Sequence, residues 1–427
     1  MPPHSSFYKG LGGGKFAEPV NQPVTNFLGQ AVAADFDGDG KLDLAVGCSS
    51  CASGGVTILL GNGNGTFTPG QTIATEASAV YIDLADFNGD HIPDIAAPEC
   101  NGSTCVLQVF LGQGNGTFKL SATLSYGSGQ VVAGDYNADG YQDLAVLNSQ
   151  ASTNQLMLYL GNGNGTFKAP LAANQTQTPL SLAVGDFYID RIQSLALLSY
   201  DSTNYYVSTA RYSNGTVQVS TPQLVNTANT PGPYNYIAGG DLNGDFLDDV
   251  VLTGGGFTCD KCVQAYASYM LGKGNGTFQS AVKAPAWGQY GDFPFVRDLN
   301  RDSRHDIGIA WDAPYEEQGG GAFVLLDTSA TVNCAPPPAN KLGVNICAPT
   351  SGETVGSSFT FKAAGNAFNG IAKRMELWID GKKVGQDLED QLKVTTTLTP
   401  GTHTASFVVI DSFDNYTSKS VTFKSSN

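Results

Sequence analysis

Short apolar runs, each closed by Gly, Asn or Asp, recur along the first 330 or so residues. Between Gln30 and Ala74 they read QAVAAD (Gln30–Asp35), DLAVG (Asp43–Gly47), GVTILL (Gly55–Leu60) and TFTPGQTIA (Thr66–Ala74). Runs of this length, rich in Val, Leu and Ala and bounded by turn formers, predict buried strands. Strands come in fours because two motifs repeat in step. The first is a nine-residue acidic loop: DFDGDGKLD at Asp35, DFNGDHIPD at Asp86, DYNADGYQD at Asp135, DLNGDFLDD at Asp241 and DLNRDSRHD at Asp298. A decayed copy, DFYIDRIQS, starts at Asp186. The second is a glycine turn, LGNGNGTF or a close variant, ending at Phe67, Phe118, Phe167 and Phe278, with YSNGTV (Tyr212–Val217) as its worn copy. The shared period is about 50 residues, which marks a repeat architecture.

Four antiparallel strands repeated around an axis make a propeller blade, and closing the ring removes the open sheet edges. The fold class expected is therefore all-β: a six-bladed (alternatively seven-bladed) β-propeller over residues 1–332, followed by a proline-rich linker at 333–342 and a small domain at 343–427. FYKGLGGGKF (Phe7–Phe16) matches the end of a repeat without a preceding loop, whereas the sixth repeat breaks off after GAFVLLD (Gly321–Asp327). The N-terminal segment is thus expected to donate the outer strand of the last blade, which gives six. The N-terminus has no apolar signal core, so an export signal is not expected within this chain.

Oxygens at loop positions 1, 3 and 5, a main-chain carbonyl at 7 and a carboxylate at 9 can wrap one cation, and Ca²⁺ accepts six to eight such ligands. The expected sets are Asp35, Asp37, Asp39, Lys41 and Asp43; Asp86, Asn88, Asp90, Ile92 and Asp94; Asp135, Asn137, Asp139, Tyr141 and Asp143. Asp241, Asn243, Asp245, Leu247 and Asp249 form the next, and Asp298, Asn300, Asp302, Arg304 and Asp306 the last. Position 6 is Gly40 or Gly140 in two loops but His91, Phe246 and Ser303 in the others. Loop 1, with four Asp at ligand positions, is expected to be the strongest site. The loop at Asp186 carries Tyr188 at position 3 and Ser194 at position 9, and is expected to bind nothing.

Charge sharpens this reading. The net charge is −16, and sixteen of the 38 acidic residues occupy ligand positions in the five intact loops. Three or four carboxylates in one loop are costly unless a cation neutralises them. About five calcium ions are therefore expected as cofactors. The acidic balance also disfavours nucleic acid and anionic membranes as partners, and no apolar run is long enough to span a bilayer.

The paired motifs resemble the FG-GAP or VCBS-type repeat of integrin α-subunit propellers and many bacterial surface proteins, over residues 7 to about 330. Similar propellers occur in certain fungal lectins and polysaccharide lyases. The resemblance implies calcium-bearing loops on one face of the blades, structural in role, and leaves the ligand open.

Eight cysteines fall into the close pairs Cys48/Cys51, Cys100/Cys105, Cys259/Cys262 and Cys334/Cys347. Local even pairing predicts disulfides and an oxidising, secreted or cell-surface location. Two C-x-x-C pairs could share a zinc ion only by meeting in space, which repeats 1 and 5 of a ring do not. The Asn-Gly-Thr triplets at Asn64, Asn115, Asn164, Asn214 and Asn275 match glycosylation sequons, but their recurrence in a turn assigns them a structural role. The four histidines are terminal (His4), in acidic loops (His91, His305) or in the small domain (His403), and no nucleophile elbow or phosphate loop is present. An enzyme is not the expected reading. The competing one is a polysaccharide lyase or glycoside hydrolase using carboxylates such as Asp312, Glu316 or Glu317.

In a four-strand meander the first and third connections lie on one face and the second connections opposite. The opposite face gathers Phe257, Trp287, Tyr290, Trp311, Tyr315 and Glu316 toward the last blades, an aromatic and acidic set that suits a glycan or an extracellular protein. The expected function is a non-catalytic adhesion or carbohydrate-binding module, monomeric, with calcium for rigidity. Residues after Lys341 alternate as strands, with an Asp380-Gly381 hairpin turn, and resemble bacterial immunoglobulin-like domains. Trp378 is read as packing, not as part of a Cys–Trp–Cys core.

Overall fold

The computed structural model describes the chain apart from residues 1–3, 8–9, 13–14, 17–19, 24–29, 48–54, 74, 76–80, 102–103, 127–128, 151–152, 191, 226–232, 246, 260–261, 285–293, 298–304, 312–320, 326–333, 335–336, 338–341, 367–371, 388–390, 412–414 and 427. The chain divides into two compact units, one built on Met1–Asn300 with His305–Asp327, the other on Thr328–Asn427. All described regular structure is β, and among the described residues no helix is long and apolar enough to cross a membrane.

In the first unit each repeat is an antiparallel meander with strands in chain order. Repeat 1 uses Ala31–Ala34, Asp43–Gly47, Val56–Gly61 and Phe67–Ile73, within a residue or two of the bounds the apolar runs predict. Repeats 2, 3 and 5 do the same, and repeat 4 adds the short strand Gln223–Leu224, which pairs with its third strand. Among the described residues the sixth sheet has three strands, Pro294–Arg297, Asp306–Trp311 and Gly321–Leu325. Near the N-terminus His4–Phe7 pairs with Val20–Pro23 and Gly10–Gly12 with Lys15–Phe16. Among the described residues neither hairpin joins the sixth sheet, so the expected strand donation is not seen there.

Successive sheets stack face to face. Leu144 and Val146 of sheet 3 share a core with Ala96, Leu107 and Val109 of sheet 2. Their neighbours Ala145 and Leu147 share the next core with Leu182, Leu195 and Leu197 of sheet 4. Side chains alternate across a strand, so a strand buried on both faces must be apolar at every position. That is why these runs are continuous and not alternating. The same logic joins sheet 4 to 5 through Leu198, Val250 and Leu252, and sheet 5 to 6 through Val251, Ile307 and Ile309. Each buried Leu or Ile contributes about 1.5–3 kcal/mol.

Polar ties link the innermost strands. Ala133 donates its N–H to Asp83 Oδ2 at 2.8 Å, Leu182 to Gln130 Oε1 at 2.8 Å, and Ile237 to Ser181 Oγ at 3.3 Å. Burial pushes the Asp83 carboxyl up to about 6, against the pull of its backbone donors.

The second unit is a sandwich of a three-stranded sheet (Gly343–Ala348, Ser358–Asn366, Gln391–Thr397) and a five-stranded one. One core unites Phe361 and Leu392 of the former with Leu377, Phe407 and Phe423 of the latter. The predicted Asp380-Gly381 turn is present, with φ of 51° and 78°, the two positive values a tight type I′ hairpin needs. Trp378 donates Nε1–H to Glu376 at 2.9 Å, and Arg374 and Lys383 donate to the same buried carboxylate at 2.9 and 2.6 Å.

Candidate metal loops and their neighbours

The acidic loops connect the first and second strand of each blade. In loop 1 the Asp35 carboxylate accepts the N–H groups of Gly38 (2.8 Å), Asp39 (3.1 Å) and Gly40 (2.8 Å). Asp37 accepts from Asp39 at 3.1 Å and Asp39 from Lys41 at 2.9 Å. These bonds wind the loop so that the side chains at positions 1, 3 and 5 converge. Among the described residues, Asp35, Asp37 and Asp39 form the one such group with ligand atoms all within 4.8 Å of each other. The Lys41 ammonium, bonded to Asp39, holds that carboxyl below the usual carboxylate range.

Loops 2 and 3 wind identically. Gly89 and His91 donate to Asp86 at 2.7 and 2.9 Å, and Gly140 donates to Asp135 at 3.0 Å. His91 takes φ = 65° where loop 1 has Gly40 at 83°, so the missing glycine is replaced by a residue held in the left-handed region. At position 3 the amides of Asn88 and Asn137 donate to Asp90 and Asp139 at 2.9 and 3.0 Å. An Asn there thus brings a neutral donor to the position-5 carboxylate, which in loop 1 stands beside the Asp37 carboxylate and is bonded instead by the Lys41 ammonium. Asp241 accepts from Gly244 at 2.7 Å in the fifth repeat.

Position 9 has a second task that spacing alone does not reveal. Asp43, Asp94, Asp143 and Asp249 are almost wholly buried, and each uses both oxygens on backbone N–H groups. One donor is the position-2 residue: Phe36, Phe87, Tyr136 and Leu242, at 2.8, 2.8, 3.0 and 2.9 Å. The other is the first glycine of the glycine turn: Gly61, Gly112, Gly161 and Gly272, at 2.7, 2.8, 2.8 and 2.7 Å. This carboxylate clamps the acidic loop to the turn of its own blade. Burial pushes Asp94 and Asp249 up to about 8 and Asp143 up to about 7, with repulsion from the other loop acids adding to it and the N–H donors opposing it. Glycine is required at the clamp because a Cβ on Gly61 would lie 2.0 Å from the Leu42 carbonyl oxygen.

The turns of repeats 2, 3 and 5 also reach the preceding blade. Gly116 donates to the Phe36 carbonyl and Gly165 to that of Phe87, both at 2.8 Å. The rings follow: Phe36 meets Phe118 edge-on at 5.3 Å, and Phe87 meets Phe167 at 5.6 Å. So the two sequence motifs share a period because the loop of one blade docks on the turn of the next. In the sequons, Thr66 donates both N–H and Oγ–H to Asn64 Oδ1 (3.0 and 2.7 Å), and Asn115, Asn164 and Asn275 repeat this. The structural role expected of the triplets is visible in those bonds at these four positions, whereas at Asn214 the Thr216 hydroxyl donates to the Ser213 carbonyl at 3.0 Å.

Several site predictions lie outside the described residues: Asp298, Asn300, Asp302, Arg304, Trp287, Tyr290, Tyr315, Glu316, Cys48 and Cys51, together with the side chains of Phe257, Trp311, Cys259 and Cys262. Asp306 is described and buried. Cys259 and Cys262 face each other in register across their hairpin. The predicted disulfides Cys100–Cys105 and Cys334–Cys347 are formed.

Residues 35–97 and 135–191 match the FG-GAP-like repeat family. No curated protein sequence matches the chain. Among solved structures, a protein from Lactobacillus plantarum aligns with a TM-score of 0.50 at 10% identity, over 73% of this chain and 90% of that one, a likeness of fold alone. The Aleuria aurantia lectin in complex with α-methyl-L-fucoside aligns at TM-score 0.42 and 12% identity, over 72% and 98%. Fibronectin(III)-like modules from Clostridium thermocellum align at TM-score 0.19 and 15% identity, over 42% and 85%. With its four-stranded sheets stacked in sequence order and its loops docked on neighbouring turns, the first unit of this chain is a β-propeller with FG-GAP repeats.

Proposed function

We propose that this protein is a secreted or cell-surface, non-catalytic binding module, with a six-bladed propeller kept rigid by about five structural calcium ions. The carrying observation is the convergence of Asp35, Asp37 and Asp39 within 4.8 Å. Three acids held that close repel one another, and a hard dication with flexible oxygen coordination is the natural counter-charge. Positions 1, 3 and 5 would supply side-chain oxygens, position 7 a carbonyl, and position 9 a carboxylate that already clamps the loop. The two disulfides favour an exported location. The second unit reads as an immunoglobulin-like spacer. The ligand, a glycan or an extracellular protein, would meet the second connections, opposite the calcium loops, near Trp287 and Tyr315.

Ion counting by native mass spectrometry tests the calcium reading. Asp39→Ala should lose one ion and Asp190→Ala none; equal losses, or no bound calcium in the parent, overturn it. Glycan-array and pull-down binding test the ligand face. Trp287→Ala should weaken binding by about 1–3 kcal/mol without loss of calcium, as an aromatic anchor does. Unchanged affinity moves the site elsewhere.

A further inference from the structure

The fourth repeat departs from the others at four positions together. Tyr188 stands at loop position 3 and Ser194 at position 9. Arg211 stands where Leu60, Leu111, Leu160 and Leu271 precede the clamp glycine, and Tyr212 stands at the glycine itself. Ser194 Oγ still accepts the Phe187 N–H (3.2 Å), but its own proton goes to the Gly185 carbonyl (2.9 Å), and the clamp to the turn is gone. With no close approach to a carbonyl required, residue 212 is free to carry a side chain.

What replaces the missing groups is protein. The Arg211 guanidinium lies 4.5 Å over the Tyr188 ring and 3.3 Å from Asp190 at position 5, so a built-in cation faces the more exposed of the two acids this loop keeps. Tyr188 forms an antiparallel bridge with Asn275, and Ile189 donates its N–H to the Gly274 carbonyl at 3.0 Å. Gly276 donates to Phe187 at 2.9 Å. Thr209 has one hydroxyl proton and gives it to the Gly276 carbonyl (2.9 Å), which makes the Tyr188 hydroxyl the donor in their 2.8 Å contact. At the loop's start the Asp186 N–H donates to Asp248 Oδ2 at 2.6 Å, and the Asp248 N–H returns to the Asp186 carbonyl at 3.1 Å. Among the described residues, the backbone bonds that tie loops 1 and 2 to the turn of the next blade are those of Gly116 and Gly165.

The geometry points to a calcium-independent latch between blades 4 and 5, in which Arg211 supplies the positive charge and the 274–276 turn the bonding partners that an ion supplies elsewhere. The contrast with the other loops rests on the calcium reading above. The consequence is a ring that responds unevenly to calcium withdrawal: loops 1 and 2 loosen, and the junction of blades 4 and 5 stays shut.

Hydrogen exchange of the full chain, with calcium and with chelator, reads this directly. Amides in 36–41 and 87–92 should exchange more than about tenfold faster in chelator, whereas those in 187–190 and 274–276 should change by less than about twofold. Parallel acceleration of 187–190 overturns the latch. If no loop responds to calcium, the calcium reading fails, and the latch is judged in chelator by Arg211→Gln and Thr209→Val. Each should speed exchange at 187–190 and 274–276 by about tenfold and leave 36–41 unchanged. Arg211 is partly exposed, so its variant tests the latch even if the Thr209 variant unfolds; unaltered exchange in Arg211→Gln overturns it.

Discussion

At the scale of single residues, backbone conformation and titration carry the sharpest expectations. Loop position 4 is left-handed in loops 1, 2, 3 and 5: Gly38 stands at φ = 76°, Gly89 at 79° and Gly244 at 74°, but Ala138 occupies it at 59°. A Cβ in that region costs about 1–2 kcal/mol. Ala138→Gly should therefore raise the urea midpoint, offset in part by the greater freedom of glycine in the unfolded chain. In the second unit, His403 places Nδ1 2.7 Å from Asp380 Oδ2 and Nε2 2.8 Å from the Thr399 carbonyl. Both partners accept, so the imidazolium is favoured, and the bond to Asp380 raises the His403 pKa while lowering that of Asp380. A raised histidine stabilises fully below its unfolded value near 6.5 and loses that contribution as pH rises through the folded value. The lowered carboxyl stabilises above about 4 and loses its contribution as pH falls. The pair thus counts most between about pH 4 and 6.5. The melting temperature lost by His403→Gln should be larger at about pH 5.5 than at about pH 8.5; a gap independent of pH would refute the assignment.

At the scale of elements, the clamp between loop and turn decides whether a blade closes. Gly112 has ordinary backbone angles, so its constraint is steric: a Cβ would sit 2.3 Å from the Pro93 carbonyl. Gly112→Ala should cost about 1–3 kcal/mol, the usual range for overpacking, and should open the Gly112–Asp94 bond seen in exchange at that amide. The strands, their fours and their bounds were legible because a strand buried on two faces leaves an apolar run that Gly and Asn punctuate. The clamp was not legible, since Asp at position 9 looks the same whether it serves an ion, the backbone or both. Its signal was nonetheless present in the repeats: at position 9, where the intact loops carry Asp, the fourth loop carries Ser194, and the paired glycine has become Tyr212. Two losses in one repeat mark residues that touch.

At the scale of the whole molecule, two units with separate cores should unfold in two calorimetric transitions. Ligand that binds only the folded state stabilises by mass action, so chelator should lower the propeller transition and leave that of the sandwich in place. A single transition, or a shift of both, would contradict the separation. The sequence by itself determined the repeat period, the strand runs, the turn chemistry and the candidate oxygen sets, because each of these is local and is restated in repeat after repeat. It also pointed to local cysteine pairs, of which Cys100–Cys105 and Cys334–Cys347 are formed. Only the tertiary structure decided that Phe36 docks on Phe118 one blade away, that Asp43 is shared between a loop and a turn 18 residues on, and that the fourth loop is held by Arg211 and the 274–276 turn. Those contacts join residues far apart in the chain, and their partners are chosen by the stacking of sheets, a geometry to which no single run of residues refers.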